Sequence, residues 1–316
     1  MIVDKFRGTL VGAAIGDSMG MTVEELPVDE VLLHYGQPVK DLLDPHPSSP
    51  SYFLRAGENT SEFEIVLLVA KSIIEKQRID VRDIIGKYIE WKEKGEIHTY
   101  IDPTFLLAID YIMEGKDLEK TGSTVDHIMP AIPVGLYHYK NPHIAAEGAK
   151  AVVMITSRNE NVIECGAMLA VAISELSEDR FYLQDEWEYF LKLLESFVTN
   201  SLTKKYLHKV KNLLKEDANL EKAINELGNG NFVLEAFSLA LFIFLKNLAN
   251  PEKAIIDAVN SYGNYGADTD SIGLIVGALS GAYSSEEALP ERWKKKLIGY
   301  NNIVELAEKL YSVSLH

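Results

Sequence analysis

Two stripes of glycine constrain this chain more than any other feature of its sequence. Gly8, Gly12, Gly16 and Gly20 stand at every fourth position of Gly-Thr-Leu-Val-Gly-Ala-Ala-Ile-Gly-Asp-Ser-Met-Gly, and Gly273, Gly277 and Gly281 repeat the spacing near the other end. Residues four apart share one face of a helix. Each glycine inside a helix costs roughly 1 kcal/mol against alanine, so a whole stripe implies a packing reason. Two smooth faces let helix backbones approach closely, so a helix predicted over residues 4–20 is expected to lie against one predicted over 269–283. That pairing would bring Asp17 or Glu24 near Asp268 and Asp270; the alternative is that each stripe meets some other helix.

The remaining punctuation is also helical. Asp80 with Asp83, Asp102-Pro103, Asn141-Pro142, Asn159 and Asn250-Pro251 each place a cap, or a cap followed by a first-turn proline, ahead of runs with helical period. Thr60-Ser-Glu-Phe-Glu64 opens an apolar helix running to Glu75, with Ser61 and Glu64 spaced as a capping box. Further helices are predicted over 81–93, 103–114, 142–155, 160–177, 183–199, 202–214, 231–248, 251–260, 291–299 and 302–313. No segment alternates apolar and polar residues as a strand does, and no Pro/Ser/Gly-rich linker divides the 316 residues. The expected fold class is therefore all-α, a single-domain helical bundle. The polar, proline-marked stretch 36–57 is long enough to be a lid, and Thr124–Leu136, with Pro130 and Pro133, reads as loop-like.

Charge and composition exclude several classes of function. A formal net charge of −16 argues against general nucleic-acid binding, which needs a basic footprint. Apolar runs fall well short of the roughly 20 residues that cross a bilayer, so no membrane partner is expected. The N-terminus lacks the basic segment and apolar core of a signal peptide, and Cys165 is the only cysteine; the expectation is a cytoplasmic protein without disulfides. Cys165 and the tryptophans Trp91, Trp187 and Trp293 suit core packing.

Carboxylates and hydroxyls gather at three places: Glu24, Thr60-Ser61-Glu62 and Asp268-Thr269-Asp270-Ser271. Such a donor set, without cysteine or histidine, suits a hard cation such as Mg²⁺ or Mn²⁺ and disfavours zinc. The plainer use of the same residues is helix capping, which an aspartate performs with one oxygen while the other stays available. His127, with no second histidine at a ligand spacing, reads on its own as structural.

Gly16-Asp-Ser-Met-Gly-Met-Thr-Val-Glu24 resembles the Gly-Asp-Ala-x-Gly-x-Pro-x-Glu signature of the ADP-ribosylglycohydrolase family. Gly266-Ala-Asp-Thr-Asp-Ser-Ile272, then Gly277–Tyr283 and Leu289-Pro-Glu-Arg-Trp293, are similar to that family's Gly-Gly-Asp-Thr-Asp-Thr and C-terminal tail. Pro133–Leu136 and Gly228–Phe244 resemble it in order and spacing, so the likeness spans nearly the whole chain. It implies an orthogonal all-α bundle with a binuclear Mg²⁺ or Mn²⁺ centre that hydrolyses the glycosidic bond of an ADP-ribosyl or related ribosyl adduct. It further implies metal ligation by Thr60, Ser61, Glu62, Asp268, Asp270 and Ser271, and general-base roles for Glu24 or Glu62. Substrate contacts at Asp126, His127 and Ser157 follow from segments that shape the pocket in relatives, and the implied partner is small-molecule or protein-attached ADP-ribose.

The chain also departs from the family. Where the family has Thr-Asp-Asp-Thr, Thr60-Ser61-Glu62-Phe63 stands here, which implies weaker metal binding, by one ion or by two. The family's Gly-Asn-Gly-x-x-Met-Arg loop corresponds to Thr124–Pro130, keeping Met129, and its Thr-His pair to Thr156-Ser157. The alternative these departures leave open is a catalytically silent module that binds ADP-ribose or a nucleotide.

Overall fold

The computed structural model describes residues 1–94, 100–118, 122–178 and 183–315. Among them the regular elements are helices: α1 (Ile2–Gly20), α2 (Val28–Tyr35), α3 (Ser61–Lys76), α4 (Val81–Glu93), α5 (Pro103–Met113), α6 (Ala131–Tyr137), α7 (Pro142–Val153), α8 (Glu160–Ser177), α9 (Leu183–Glu195), α10 (Ser201–Lys215), α11 (Leu220–Leu227), α12 (Val233–Lys246), α13 (Pro251–Val259), α14 (Thr269–Ser284), α15 (Glu291–Lys296) and α16 (Tyr300–Ser314). Extended pairing among the described residues is limited to the isolated antiparallel bridge between Thr124 and Phe232.

The glycine stripes face each other. A Cβ at Gly12 would lie 2.2 Å from the Gly277 carbonyl oxygen, one at Gly16 1.9 Å from that of Gly273, and one at Gly20 2.2 Å from that of Thr269. No side chain fits at those distances, so α1 and α14 touch backbone to backbone at the centre of the bundle. Every residue of α1 from Gly8 to Gly20 is buried, as is α14 from Thr269 to Ala282. The rest of the core, including Phe237, Phe242 and Phe244 on α12 and Trp293 on α15, packs around this pair. Cys165 lies within it.

The caps form as their residues dictate: Asp80, Asp102, Asn141, Asn159 and Asn250 each accept backbone N–H bonds from the first turn of the helix that follows. Five expectations shift. The cap of α3 is Thr60, which accepts the Glu62 N–H at 3.3 Å, whereas Ser61 is already inside the helix and its Oγ donates to the Tyr100 carbonyl. The loop-like passage around Pro130 folds into a 3₁₀ turn (Val125–Ile128) and α6, because a proline in the first turn of a helix forfeits no intrahelical bond. The helix expected from 231 begins at Val233, since Asn231 and Val233 bond to Val125 and Ser123 instead. The helix expected over 183–199 ends at Glu195, and the one expected over 291–299 ends at Lys296, because the Leu297 backbone is extended.

The stretch 36–57 lies along the C-terminal end of α1. Its backbone is stitched to Thr22 through the His46 N–H and to Asn260 through Val39, and Ser49 Oγ donates to the Met21 carbonyl. Among the described residues, no helix is long and apolar enough to cross a membrane.

Candidate metal centre

Three helix ends meet where the glycine stripes run out: the C-terminus of α1 and the N-termini of α3 and α14. Thr269 Oγ1 donates to the Gly20 carbonyl at 2.8 Å and ties the start of α14 to the end of α1. Asp17, one turn from the end of α1, is held by the start of α3: its Oδ2 accepts the Thr60 N–H and Asn59 Nδ2, each at 2.8 Å, and its Oδ1 accepts Thr60 Oγ1 at 2.5 Å. Ser271 Oγ lies 2.8 Å from both carboxylate oxygens of Glu62, joining α14 to α3. The two helix N-termini add partial positive charge at the same point.

This convergence gathers the acids into two overlapping groups. One oxygen each from Asp17, Glu62 and Asp270 lie within 4.8 Å of one another, and so do oxygens from Glu24, Asp268 and Asp270. Asp270 belongs to both. Asp17, Glu24, Glu62 and Asp270 are all buried. Burial first, and their neighbours' charge second, raise the proton affinities of Glu24, Glu62 and Asp270 well above the carboxylate range. Burial also raises Asp17, to about 6, against the opposing pull of its hydrogen bonds from Thr60 and Asn59.

The donor set fits a divalent cation. Asp268 occupies the N-cap of α14, yet its side chain makes no capping hydrogen bond, and its Oδ2 is buried with no partner. Simple capping does not account for that oxygen. Above the cluster opens a cavity of about 410 Å³ lined by Glu24, Glu25, Glu62, Asp102, Asp126, Asp268 and Asp270 together with Tyr100 and Tyr265; none of its lining residues is lysine, arginine or histidine. Like charges at such separations need a shared cation or bound protons. All-oxygen donors of this kind match Mg²⁺ or Mn²⁺.

The other sequence-derived candidates divide. Asp126 lines the cavity, and burial followed by the charges of Asp102 and Asp268 raises its proton affinity. Thr60 and Ser271 orient Asp17 and Glu62 through their hydroxyls, while Ser61 turns to Tyr100. His127 and Ser157 are fully buried behind the cavity and are not among its lining residues. His127 sits between Thr104 Oγ1 and Thr156 Oγ1, each 2.9 Å from a ring nitrogen, and Ser157 Oγ donates to the Gly122 carbonyl. Asp102, Glu25, Tyr100 and Tyr265 carried no sequence signal of a site. Asp102 was legible only as the cap of α5, which it is, while also facing the cavity.

Helices that deliver buried carboxylates into two cation-sized groups beneath an acidic cavity define an all-α protein with a candidate divalent-metal centre. The ADP-ribosylglycohydrolase family pattern matches residues 1–315, and the chain belongs to that family. It is 30% identical over 317 residues to an uncharacterized protein of Archaeoglobus fulgidus, covering 99% of this chain and 97% of that one. It is 25% identical over 325 residues to ADP-ribosylarginine hydrolase Tri1 of Serratia proteamaculans, covering 98% and 79%. The solved structure of an ADP-ribosylglycohydrolase-related protein complex superposes with a TM-score of 0.77 at 21% identity, over 99% of both chains, which establishes the shared fold.

Proposed function

We propose that the chain is a Mg²⁺- or Mn²⁺-dependent hydrolase that cleaves the glycosidic bond of an ADP-ribosyl, or related ribosyl, adduct. The observation that carries this is Asp270 shared by two buried carboxylate groups at the base of a cavity, in a chain of this family. Asp17, Glu62 and Asp270 would hold one ion and Glu24, Asp268 and Asp270 a second; the replacement of an aspartate by Ser61 leaves the first position the weaker. A bound divalent ion supplies positive charge that neutralises the acids and orients ribose hydroxyls.

The chain's own residues do the rest. Cleavage at the ribose C1 passes through an oxocarbenium-like state, and a nearby carboxylate that takes a proton from water lowers that barrier. Glu24 suits the base role better than Glu62. Both acids line the cavity and burial raises the proton affinity of both, but Ser271 Oγ lies against both oxygens of Glu62, and no such partner holds Glu24 among the described residues. Asp126, Tyr100 and Tyr265 stand around the cavity where the adduct enters. The similarity to an ADP-ribosylarginine hydrolase makes the arginine linkage the first substrate to test.

The experiment is a turnover assay with ADP-ribosyl-arginine, ADP-ribosyl-serine and O-acetyl-ADP-ribose in Mg²⁺ or Mn²⁺, with ADP-ribose binding measured in parallel. Turnover lost on Glu24→Gln supports the assignment. Binding without turnover identifies a silent module, and failure of the protein to bind either ion removes the mechanism.

A further inference from the structure

We propose that, within the hydrolase reading above on which this rests, the cavity over the carboxylate groups selects a cationic ribosyl adduct carrying no phosphate, in preference to an ADP-ribosyl one. Glu25, Asp102 and Asp126 line the cavity but belong to neither cation-sized group. None of the three pairs with a lysine or arginine among the described residues. Asp102 is the most tightly held. Its Oδ1 accepts the Thr104 N–H at 2.8 Å, the Phe105 N–H at 2.9 Å and the Thr104 hydroxyl. Its Oδ2 is left with no hydrogen-bond partner, on a residue only 5% exposed at the cavity wall. A buried carboxylate oxygen without a donor is costly, and a cationic ligand N–H supplies one.

The charge of the lining chooses between the two kinds of adduct. It holds seven carboxylates and no lysine, arginine or histidine, and Asp17 beneath makes eight. Two divalent ions would neutralise four of them. The remainder attracts a positive ligand and opposes the charges of a diphosphate, which is held by cationic side chains or by free backbone N–H groups. Three N–H groups placed to take a phosphate go to the chain's own acids: that of Thr60 to Asp17, that of Ser271 to Asp270 and that of Gly230 to Glu235. Burial, then the charges of Asp102 and Asp268, make Asp126 hold a proton more tightly, and a ligand cation at the same place relieves the same field.

The test is calorimetric titration of the whole chain in Mg²⁺ with three ligands that share one ring and differ in phosphate: iminoribitol, a ribose-shaped cation with no glycosidic bond to cleave, its monophosphate, and its adenosine diphosphate conjugate. Iminoribitol is expected to bind about tenfold or more tighter than either phosphorylated form. Asp102→Asn combined with Asp126→Asn is expected to weaken iminoribitol about tenfold and to tighten the adenosine diphosphate conjugate, whereas a change of packing alone would move all three ligands the same way. Asparagine caps a helix as well as aspartate does, and circular dichroism identifies a variant that has not folded, in which case Asp126→Asn alone takes its place. Equal or tighter binding of the adenosine diphosphate conjugate by the wild type, binding of none of the three, or a variant that shifts all three alike overturns the proposal. Turnover of ADP-ribosyl adducts together with tightest binding of that conjugate keeps the hydrolase reading and overturns this inference. The expected order of affinity, without turnover of ribosyl-arginine or of any ADP-ribosyl adduct, does the reverse.

Discussion

Ser271 Oγ sits 2.8 Å from each carboxylate oxygen of Glu62, although the two residues are 209 positions apart in the chain. The hydroxyl holds the Glu62 carboxylate in place at the start of α3. Ser271→Ala leaves Glu62 without that partner and free to turn away. The expected result is Mn²⁺ affinity weaker by about ten- to a hundredfold, measured by calorimetric titration, with little change in secondary structure. Unchanged affinity would show that Glu62 needs no such support.

Asp270 is common to both carboxylate groups, so its neutralisation acts on both. Asp270→Asn is expected to abolish the stabilisation that Mg²⁺ gives the wild type, about 2.7 kcal/mol at a hundredfold excess over Kd. The same change removes a buried charge repelled by Glu24 and Glu62, so the metal-free variant is expected to be more stable than metal-free wild type, by about 1 to 3 kcal/mol. Scanning calorimetry with and without Mg²⁺ checks both signs at once.

The glycine interface makes a contrast between two alanines. A Cβ at Gly12 would meet the Gly277 carbonyl at 2.2 Å, whereas nothing lies within 4 Å of one at Gly86 on α4. Gly12→Ala is expected to cost about 3 kcal/mol or more by forcing α1 and α14 apart. Gly86→Ala is expected to add about 1 kcal/mol through helix propensity alone. Urea unfolding of the two variants measures both.

His127 gives a pH dependence. Its burial lowers the pKa to about 4, partly offset by Asp102, against 6.5 for an ordinary histidine. Below pH 6.5 the unfolded chain takes up a proton that the folded chain refuses until about pH 4, so stability falls as pH drops through that window, by roughly 3 kcal/mol in all. His127→Gln is expected to lose this component. The difference between wild type and variant in urea stability at pH 7.5 and 4.5 isolates it from the carboxylates, which titrate in both.

Much of the fold was legible along the chain. The stripe Gly8–Gly20 and its counterpart Gly273–Gly281 announced a backbone-to-backbone helix pair because spacing along a helix is fixed by its geometry. Asp80, Asp102, Asn141 and Asn250 announced helix starts because a cap bonds only to its own first turn. For α6 and α11 the local signals were misleading or weak: two prolines hid the first, and the second is eight residues long.

The sequence by itself singled out candidate acids for a hard cation: Asp268, Asp270, Glu24 and Glu62 stand out by type and position. It did not determine which of them meet. That Asp17 joins Glu62 and Asp270, that Asp102 and Asp126 line the same cavity while His127 and Ser157 stay behind it, and that the Asp268 cap is left unbonded were decided by tertiary structure. The reason is physical. A cap or a stripe is specified by neighbours a few residues away, whereas a carboxylate cluster exists only where separate helix ends converge, and that point is set by how closely α1 and α14 pack.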